Sequence, residues 1–332
     1  MQSGNSVNKK NMVKGIIIDN IPFIGLVGIV IAFYFITKGN LLSKNNLMAL
    51  LNQSFLMIIA CVGSIFIYMQ GGLDLSITNA IGTCSIMGAL ALNKFGLPGC
   101  IIAILVTGLF LGSFNGFIYS RTNIQPFILT LSVNLILDGL NYTITNQRTV
   151  IQIARSYQKM FNVLEFKILI LATFSIITYY LYKYTTLGKE SRAIGAGEDA
   201  SRQSGINVKS VKMMAFIFTG LTAALYAFMA MMKTGGGGPT AGANIGFNVM
   251  IAMVLGGTTT AGGLAAKFKS CFIGSLIITV LTNSLSMIGI SSMLQEVIKG
   301  LSFVLVVAFS TRLRNKFLGN IFVVRKKVKK CA

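Results

Sequence analysis

The stretch LMIIACVGSIFIYMQGGLDLSITNAIGTCSIMGALAL, residues 56–92, holds two apolar runs parted by GGLDLS, residues 71–76, where two glycines and one of only eight acidic residues intervene. Each run belongs to a nearly uncharged segment of about 17 to 23 residues, long enough to cross roughly 30 Å of hydrocarbon as a helix. Similar segments recur along all 332 residues, of which 54% are hydrophobic and 11% charged, with a mean hydropathy of +0.73. That composition belongs to an integral membrane protein. Backbone groups in lipid need partners inside the protein, which leaves helices or a closed barrel. The runs are continuous rather than alternating, so the expected fold is an all-α integral membrane protein.

Ten transmembrane helices are predicted, some short or broken: 16–37, 47–69, 75–92, 97–119, 126–144, 166–184, 211–232, 244–260, 269–288 and 293–311. The net charge of +21 does not point to nucleic acid, because the basic residues are scattered among connections rather than gathered on one soluble module. With the amino terminus inside, the inner segments hold Lys9, Lys10, Lys14, Arg121, six residues from Lys183 to Lys212, Lys267, Lys269 and eight from Arg312 onward, twenty in all. The outer segments hold Lys38, Lys44, Lys94, Arg148, Arg155, Lys159, Lys167 and Lys233, which is eight, and Lys299 falls within the last span. The bias predicts both termini in the cytosol. The domain organisation that follows is a cytosolic segment 1–15, a single transmembrane domain 16–311 and a basic cytosolic tail 312–332. The opening residues MQSGNSVNKKNMVKG are polar and basic and lead into a full-length span without a small-residue cleavage site, so they read as preceding a retained helix. There is no histidine, and Cys61, Cys84, Cys100, Cys271 and Cys331 show no CxxC spacing, so neither a metal site nor a disulfide framework is indicated.

Three connections carry information. The outer loop, 145–165 and extending to Lys167, bears four of the eight outer cations and is either a solvated connection or a docking surface for an extracellular partner. The inner segment 184–212 contains Gly197, Glu198, Asp199, Ala200, Ser201, Arg202, Gln203, Ser204 and Gly205 in succession. Acids in a first turn and a glycine past the end predict a short helix. Two turns are marginal in water alone, so neighbouring loops or a groove on a cytosolic partner must hold it. The glycine-rich stretches 233–246 and 255–267 bracket the eighth span, and fit either close helix packing or broken helices lining a transport path.

Read together, these motifs resemble the membrane subunits of ABC sugar importers of the ribose, xylose and galactose type. GGLDLSI at 71–77 is similar to that family's Gly-Gly-hydrophobic-Asp-Leu-Ser hallmark, with Gly71, Gly72, Asp74 and Ser76 in register. GKESRAIGAGEDASRQSGINVKSVK at 188–212 resembles its cytosolic coupling segment, and QPFILTLSV at 125–133, PTAG at 239–242, VLGGTTTAGG at 254–263 and LQEVIKGLSFVLVVAF at 294–309 match in order. The resemblance implies a permease of the bacterial plasma (inner) membrane that pairs with a second permease subunit as a homodimer or heterodimer. It also implies a cytosolic ABC ATPase in two copies and an extracellular or periplasmic substrate-binding protein. Gly197, Glu198, Asp199, Ala200, Arg202, Gly205 and Ile206 would form the coupling element that receives the ATPase's motion. ATP and Mg would be used by the ATPase subunits and no cofactor by this chain, which has no GxxxxGK[ST] loop and no expected catalytic site. Departures from the family are Asp138-Gly139 in place of Arg-Gly, Gly246 and Asn248 in place of a Glu and an Asp, Ala265 in place of a glycine, and Lys269-Ser270 in place of Gly-Thr. Related permeases for nucleosides or branched-chain amino acids carry asparagine at the position of Asp74, which favours the sugar branch. An ion-coupled secondary transporter would share broken helices and buried polar groups, but few buried carboxylates and no histidine argue against a proton relay. A passive channel or scaffold subunit is the third reading.

A charge within a span costs about 2.5–3.5 kcal/mol at the centre on insertion scales, so each needs a reason. Asp19 is expected to reach interfacial water, Glu296 and Lys299 to pair three residues apart, and Asp138 to face a wet cavity or a neighbour such as Asn141. Asp74 is expected at the cytosolic end of the connection, dipping inward if the glycines allow, as a cap on the third span; contact with substrate and gating are the alternatives. A neutral solute's path would be lined by hydrogen-bonding side chains, for which Asn52, Gln53, Asn115, Asn134, Asn141, Asn248, Thr282 and Asn283 are candidates.

Overall fold

The computed structural model describes residues 20–122, 124–258 and 266–308. Asp19, the segment 1–15, Ala265 and the tail 312–332 lie outside them. The chain is overwhelmingly helical: α1 (Asn20–Ile36), α2 (Lys44–Met69), α3 (Ile77–Arg121), α4 (Pro126–Ile144), α5 (Arg155–Phe161), α6 (Leu164–Tyr184), α7 (Thr186–Ala196), α8 (Glu198–Gln203), α9 (Val208–Thr234), α10 (Ile245–Leu255), α11 (Phe268–Met287) and α12 (292–308). The strands β1 (Ile151–Gln152) and β2 (Gly236–Gly237) pair antiparallel, with Ile151 opposite Gly237. Among the described residues six helices, α2, α3, α4, α6, α9 and α11, are long and apolar enough to cross a membrane, and α1 is a shorter apolar helix.

Local signals explain several ends. Ser43 accepts the Asn46 N–H at the start of α2, and Asn207 accepts the Ser210 N–H at the start of α9. The predicted third and fourth spans form one 45-residue element broken at Gly96, whose φ of 69° no helical residue adopts, with Pro98 opening the second half. The predicted eighth span, 244–260, is corrected: α10 has 11 residues and rises about 16 Å, half the hydrocarbon thickness. A left-handed Asn244 starts it late, and the turn at Gly256 and Gly257 ends it early. The inner segment 184–212 holds two helices where one was expected, since Leu187, Ser191 and Ile194 repeat at helical spacing and give α7 a buried face.

The core is built on α3 and α9. A Cβ added at Gly108 would lie 2.5 Å from the Gly220 carbonyl oxygen, one at Gly112 2.6 Å from that of Phe216, and one at Gly116 2.8 Å from that of Met213. Small residues every four positions let the two backbones touch, which is how helices associate without a hydrophobic drive between them. α2 lies against this pair with Phe66 edge-on to Phe218 at 5.0 Å, while α6 is peripheral and largely exposed.

The connection 235–246 does not stay at the surface. It runs antiparallel to the first half of α3, so that Cβ atoms at Gly237, Gly242 and Gly246 would meet Ser85, Thr78 and Leu75 in turn. Residues 235–244, which include β2 and a single 3-10 turn at Pro239–Gly242, thus follow α3 until α10 begins beside its first turn.

Gly220→Val should displace α3 from α9 and lower stability by about 1–3 kcal/mol or more, as overpacking does. Gly139→Ala, at a helical position with open space around it, should leave the melting temperature in detergent unchanged or slightly raised.

Candidate functional site

α2 ends in a turn that only its glycines permit. Gly72 N–H donates to the Ile67 carbonyl at 3.0 Å and Gly71 N–H to that of Tyr68 at 3.1 Å, with Gly71 left-handed at φ 76°. This is the glycine-terminated Schellman pattern, and it explains the GG pair that opens the motif. Gly72 then fits between Ile67 and Pro126, so the chain turns back beside the first turn of α4.

Residues 73–76 run inside the protein ahead of α3 without belonging to a helix, and side chains supply the partners that a helix would have given. Leu75 N–H donates to Thr130 Oγ1 at 3.1 Å, and that hydroxyl lies 3.3 Å from the Leu73 carbonyl. Asp74 is 6% exposed; its Oδ1 accepts the Ser76 N–H at 2.9 Å and the Ser76 hydroxyl at 2.6 Å. Ser76 Oγ in turn accepts from Asn115 Nδ2 at 2.8 Å, and Ser76, not Asp74, occupies the N-cap position of α3. Asp74 therefore holds the entrance to α3 from two residues upstream. The cavity it borders measures about 10 Å³, far below the volume of a small-molecule site.

The same mode continues outward. Asn79 Nδ2 donates to the Asn134 carbonyl at 2.9 Å, Thr83 Oγ1 to Asn141 Oδ1 at 2.8 Å, and Asn141 Nδ2 back to the Asn79 carbonyl at 3.1 Å, lacing α3 to α4. On the opposite flank, Gly246 N–H donates to Thr78 Oγ1 at 2.9 Å and Gly238 N–H to Ser85 Oγ at 3.1 Å, tying the descending 235–246 segment to α3.

The candidate path asparagines fall into separate clusters. Asn134 and Asn141 share the α3–α4 ladder and Asn115 joins Asp74, whereas Asn52 accepts from Lys167 at 2.6 Å and Asn248 from Lys299 at 3.0 Å. Asn283 is buried apart from them. Glu296 and Lys299 pair at 2.6 Å, with the lysine 2% exposed. Asp138 lies on the exposed face of α4, and Asn141 turns instead to Thr83 and Asn79. The links from Thr130, Asn79, Ser85 and Lys299 to distant elements were not legible, because a single polar residue in an apolar run does not reveal its partner.

At the other end of α9, α7 and α8 form a compact unit. Ile194, Val208 and Val211 bury one another with Leu187 and Ile206. Gly197 precedes α8 and Gly205, left-handed at φ 85°, ends it, passing Ile206 N–H to the Ser201 carbonyl. Glu198 binds Lys212 Nζ at 2.8 Å and Arg202 at 3.1 Å; Asp199 and Ala200 lie on the outer surface of α8. Lys212 also lies 4.6 Å over the Tyr119 ring on α3. Gln70, the residue before Gly71, donates from Nε2 to Ser191 Oγ at 3.1 Å and to the Val211 carbonyl at 3.4 Å. One amide thus joins the α7–α9 unit to the turn that leads to Asp74.

Two outcomes are expected. Ser76→Ala should cost about 1.5–3 kcal/mol by removing a hydrogen bond to a buried carboxylate, and less in an Asn115→Leu background, as a double-mutant cycle of unfolding in lipid micelles would read. Glu198→Gln should loosen the amides of 198–206 to hydrogen exchange more than Lys212→Met, because it strands a side chain only 10% exposed while the reverse change leaves a carboxylate 39% exposed.

A family model described as branched-chain amino acid transport system / permease component matches residues 46–307. Among curated proteins, the ribose import permease RbsC of Bacillus subtilis is 31% identical over 303 residues, covering 86% of this chain and 90% of its own. The ribose import permease RbsC of Escherichia coli K12 is 29% identical, with 84% and 89% covered, and the xylose transport system permease XylH of Haemophilus influenzae is 26% identical, with 87% and 95% covered. No solved structure matches the chain.

Proposed function

The chain belongs to the family of branched-chain amino acid transport system permease components, and we propose that it is the membrane-spanning permease subunit of an ATP-driven importer of a sugar or similar small polar solute. The observation that carries the substrate class is the near full-length similarity to ribose and xylose permeases. The chain spans the bacterial inner membrane with its α7–α8 unit in the cytosol, where the lysine and arginine excess lies.

In this reading the chain contributes a conduit and no catalytic group. ATP and Mg are handled by cytosolic ATPase subunits whose closing motion enters at α8. Gly197 and Gly205 delimit that helix, Glu198 anchors it to Lys212, and Asp199, Ala200 and Arg202 face outward to the partner. The motion passes through Gln70 and through Lys212 against Tyr119 to the ends of α2 and α3, alternating the access of a path between permease halves. An aspartate exposed within a span is costly against lipid, so the Asp138 face of α4 is the surface that a second permease subunit or the water-filled path covers. The opposite end, with β1, β2 and α5, receives a binding protein carrying the solute.

The test is uptake by vesicles holding the permease with its ATPase and binding protein, against a panel of sugars, nucleosides and amino acids. ATP-dependent accumulation of a pentose or hexose is expected, and accumulation driven by an ion gradient without ATP would overturn the reading. Deleting 198–204, or Gly205→Val, should abolish uptake while membrane insertion persists; unchanged uptake in either variant would defeat the assignment of α8.

A further inference from the structure

The half-length helix α10 starts inside the helical body, and Asn244 opens it in a left-handed conformation, φ 60°, that is strained for any residue but glycine. The Asn244 side chain caps nothing in α10. It reaches across to α12, where its Nδ2 donates to Glu296 Oε1 at 3.3 Å. One turn further along α10, Asn248 Oδ1 accepts from Lys299 Nζ at 3.0 Å, and the same ammonium binds Glu296 Oε1 at 2.6 Å. A carboxylate and an ammonium of α12 thus cancel each other and are joined to two asparagines at the start of α10.

Lys299 is buried, but the cluster is not sealed. The Glu296 side chain is 41% exposed, Asn244 is exposed, and so is Phe247, which stands between the two asparagines in sequence. Along α12 the neighbours Met293, Val297 and Leu301 present apolar surface. A half-exposed carboxylate on such a surface is costly against lipid, so this patch faces water or protein. Among the described residues Glu296 Oε2 and Asn244 Oδ1 accept no hydrogen bond and Asn248 Nδ2 gives none, which leaves two acceptors and one donor open near an aromatic ring. A neutral solute bearing hydroxyls, each a donor and an acceptor at once, matches that set, whereas an ion would meet a patch whose charges already cancel.

We propose that this patch, made of Asn244, Phe247, Asn248 and Glu296 and held by Lys299, is where the chain touches the sugar in transit. The proposal rests on the importer reading above and adds to it the residues that contact the solute. A discontinuous helix whose end meets a polar cluster inside the membrane domain is the arrangement in which transporters hold their solutes. A second copy of this chain seated on the patch is the rival occupant, and selectivity among sugars separates the two.

Vesicles holding the permease with its ATPase and binding protein are given D-ribose, D-xylose or D-galactose, each at a concentration that saturates the binding protein, and the uptake rates are compared as ratios. Asn244→Gly adopts the left-handed turn without strain and should retain the melting temperature in detergent. It should nevertheless change the rate for one sugar relative to another by roughly fivefold, the factor that one net hydrogen bond carries. Phe247→Ala and Asn248→Leu should each shift the ratios as well. Loss of a contact between copies would scale every sugar alike. Ratios unchanged in all three variants, whether the rates fall together or stay the same, overturn the proposal. Accumulation of none of the three sugars by the unaltered chain would overturn the importer reading itself and this proposal with it.

Discussion

A backbone N–H or carbonyl left unpaired in hydrocarbon costs several kcal/mol, and among the described residues two segments outside the α-helices pack into the interior of this helical body. Both departures lie against the first half of α3, at 73–76 on one flank and at 235–246 on the other. Thr130, Ser85, Thr78 and Asp74 supply the missing partners, so four polar side chains make possible what the lipid would otherwise forbid. The rest of the architecture follows from holding α3 in place. Its second half is pressed backbone to backbone on α9 through glycines, and its first half is laced to α4 through asparagines.

That arrangement gives Asp74 a structural occupation. It is neither a stray charge nor a solvent-facing cap; it fixes Ser76, which fixes Asn115, and so sets the distance between the two halves of α3. The turn before it is shared with the α7–α9 unit through Gln70, so a displacement of α8 has a short covalent and hydrogen-bonded route to the broken segments.

Much of this was legible in the residues. Apolar run length placed α4 at Pro126–Ile144, and the acids and glycines of 197–205 marked α8 with its boundaries. The GG pair announced a break at 71–72, and family motifs pointed to the permease. What was not legible depends on contacts between distant residues. Hydropathy counted 244–260 as a span because the residues are apolar, but it is blind to how far the preceding segment has already descended. α7 was missed because glycine, serine and charged residues dilute its apolar face to Leu187, Ser191 and Ile194. The glycines at 108, 112 and 116 carried their message in a spacing of four that length and hydropathy do not weigh. Asparagines in apolar runs suggested one path lining, yet their amides are largely consumed in holding helices together.

Hydrogen exchange of the chain in lipid nanodiscs tests the central claim most directly, read at the amides of Leu75, Ser76, Gly238 and Gly246. None of these lies in the hydrogen-bonded interior of a helix, yet each donates to a side chain. Protection comparable to that of the helical amides of α3 is the expected result. Exchange as fast as that of an exposed loop would contradict the account, because the broken segments would then lie in water and not inside the protein.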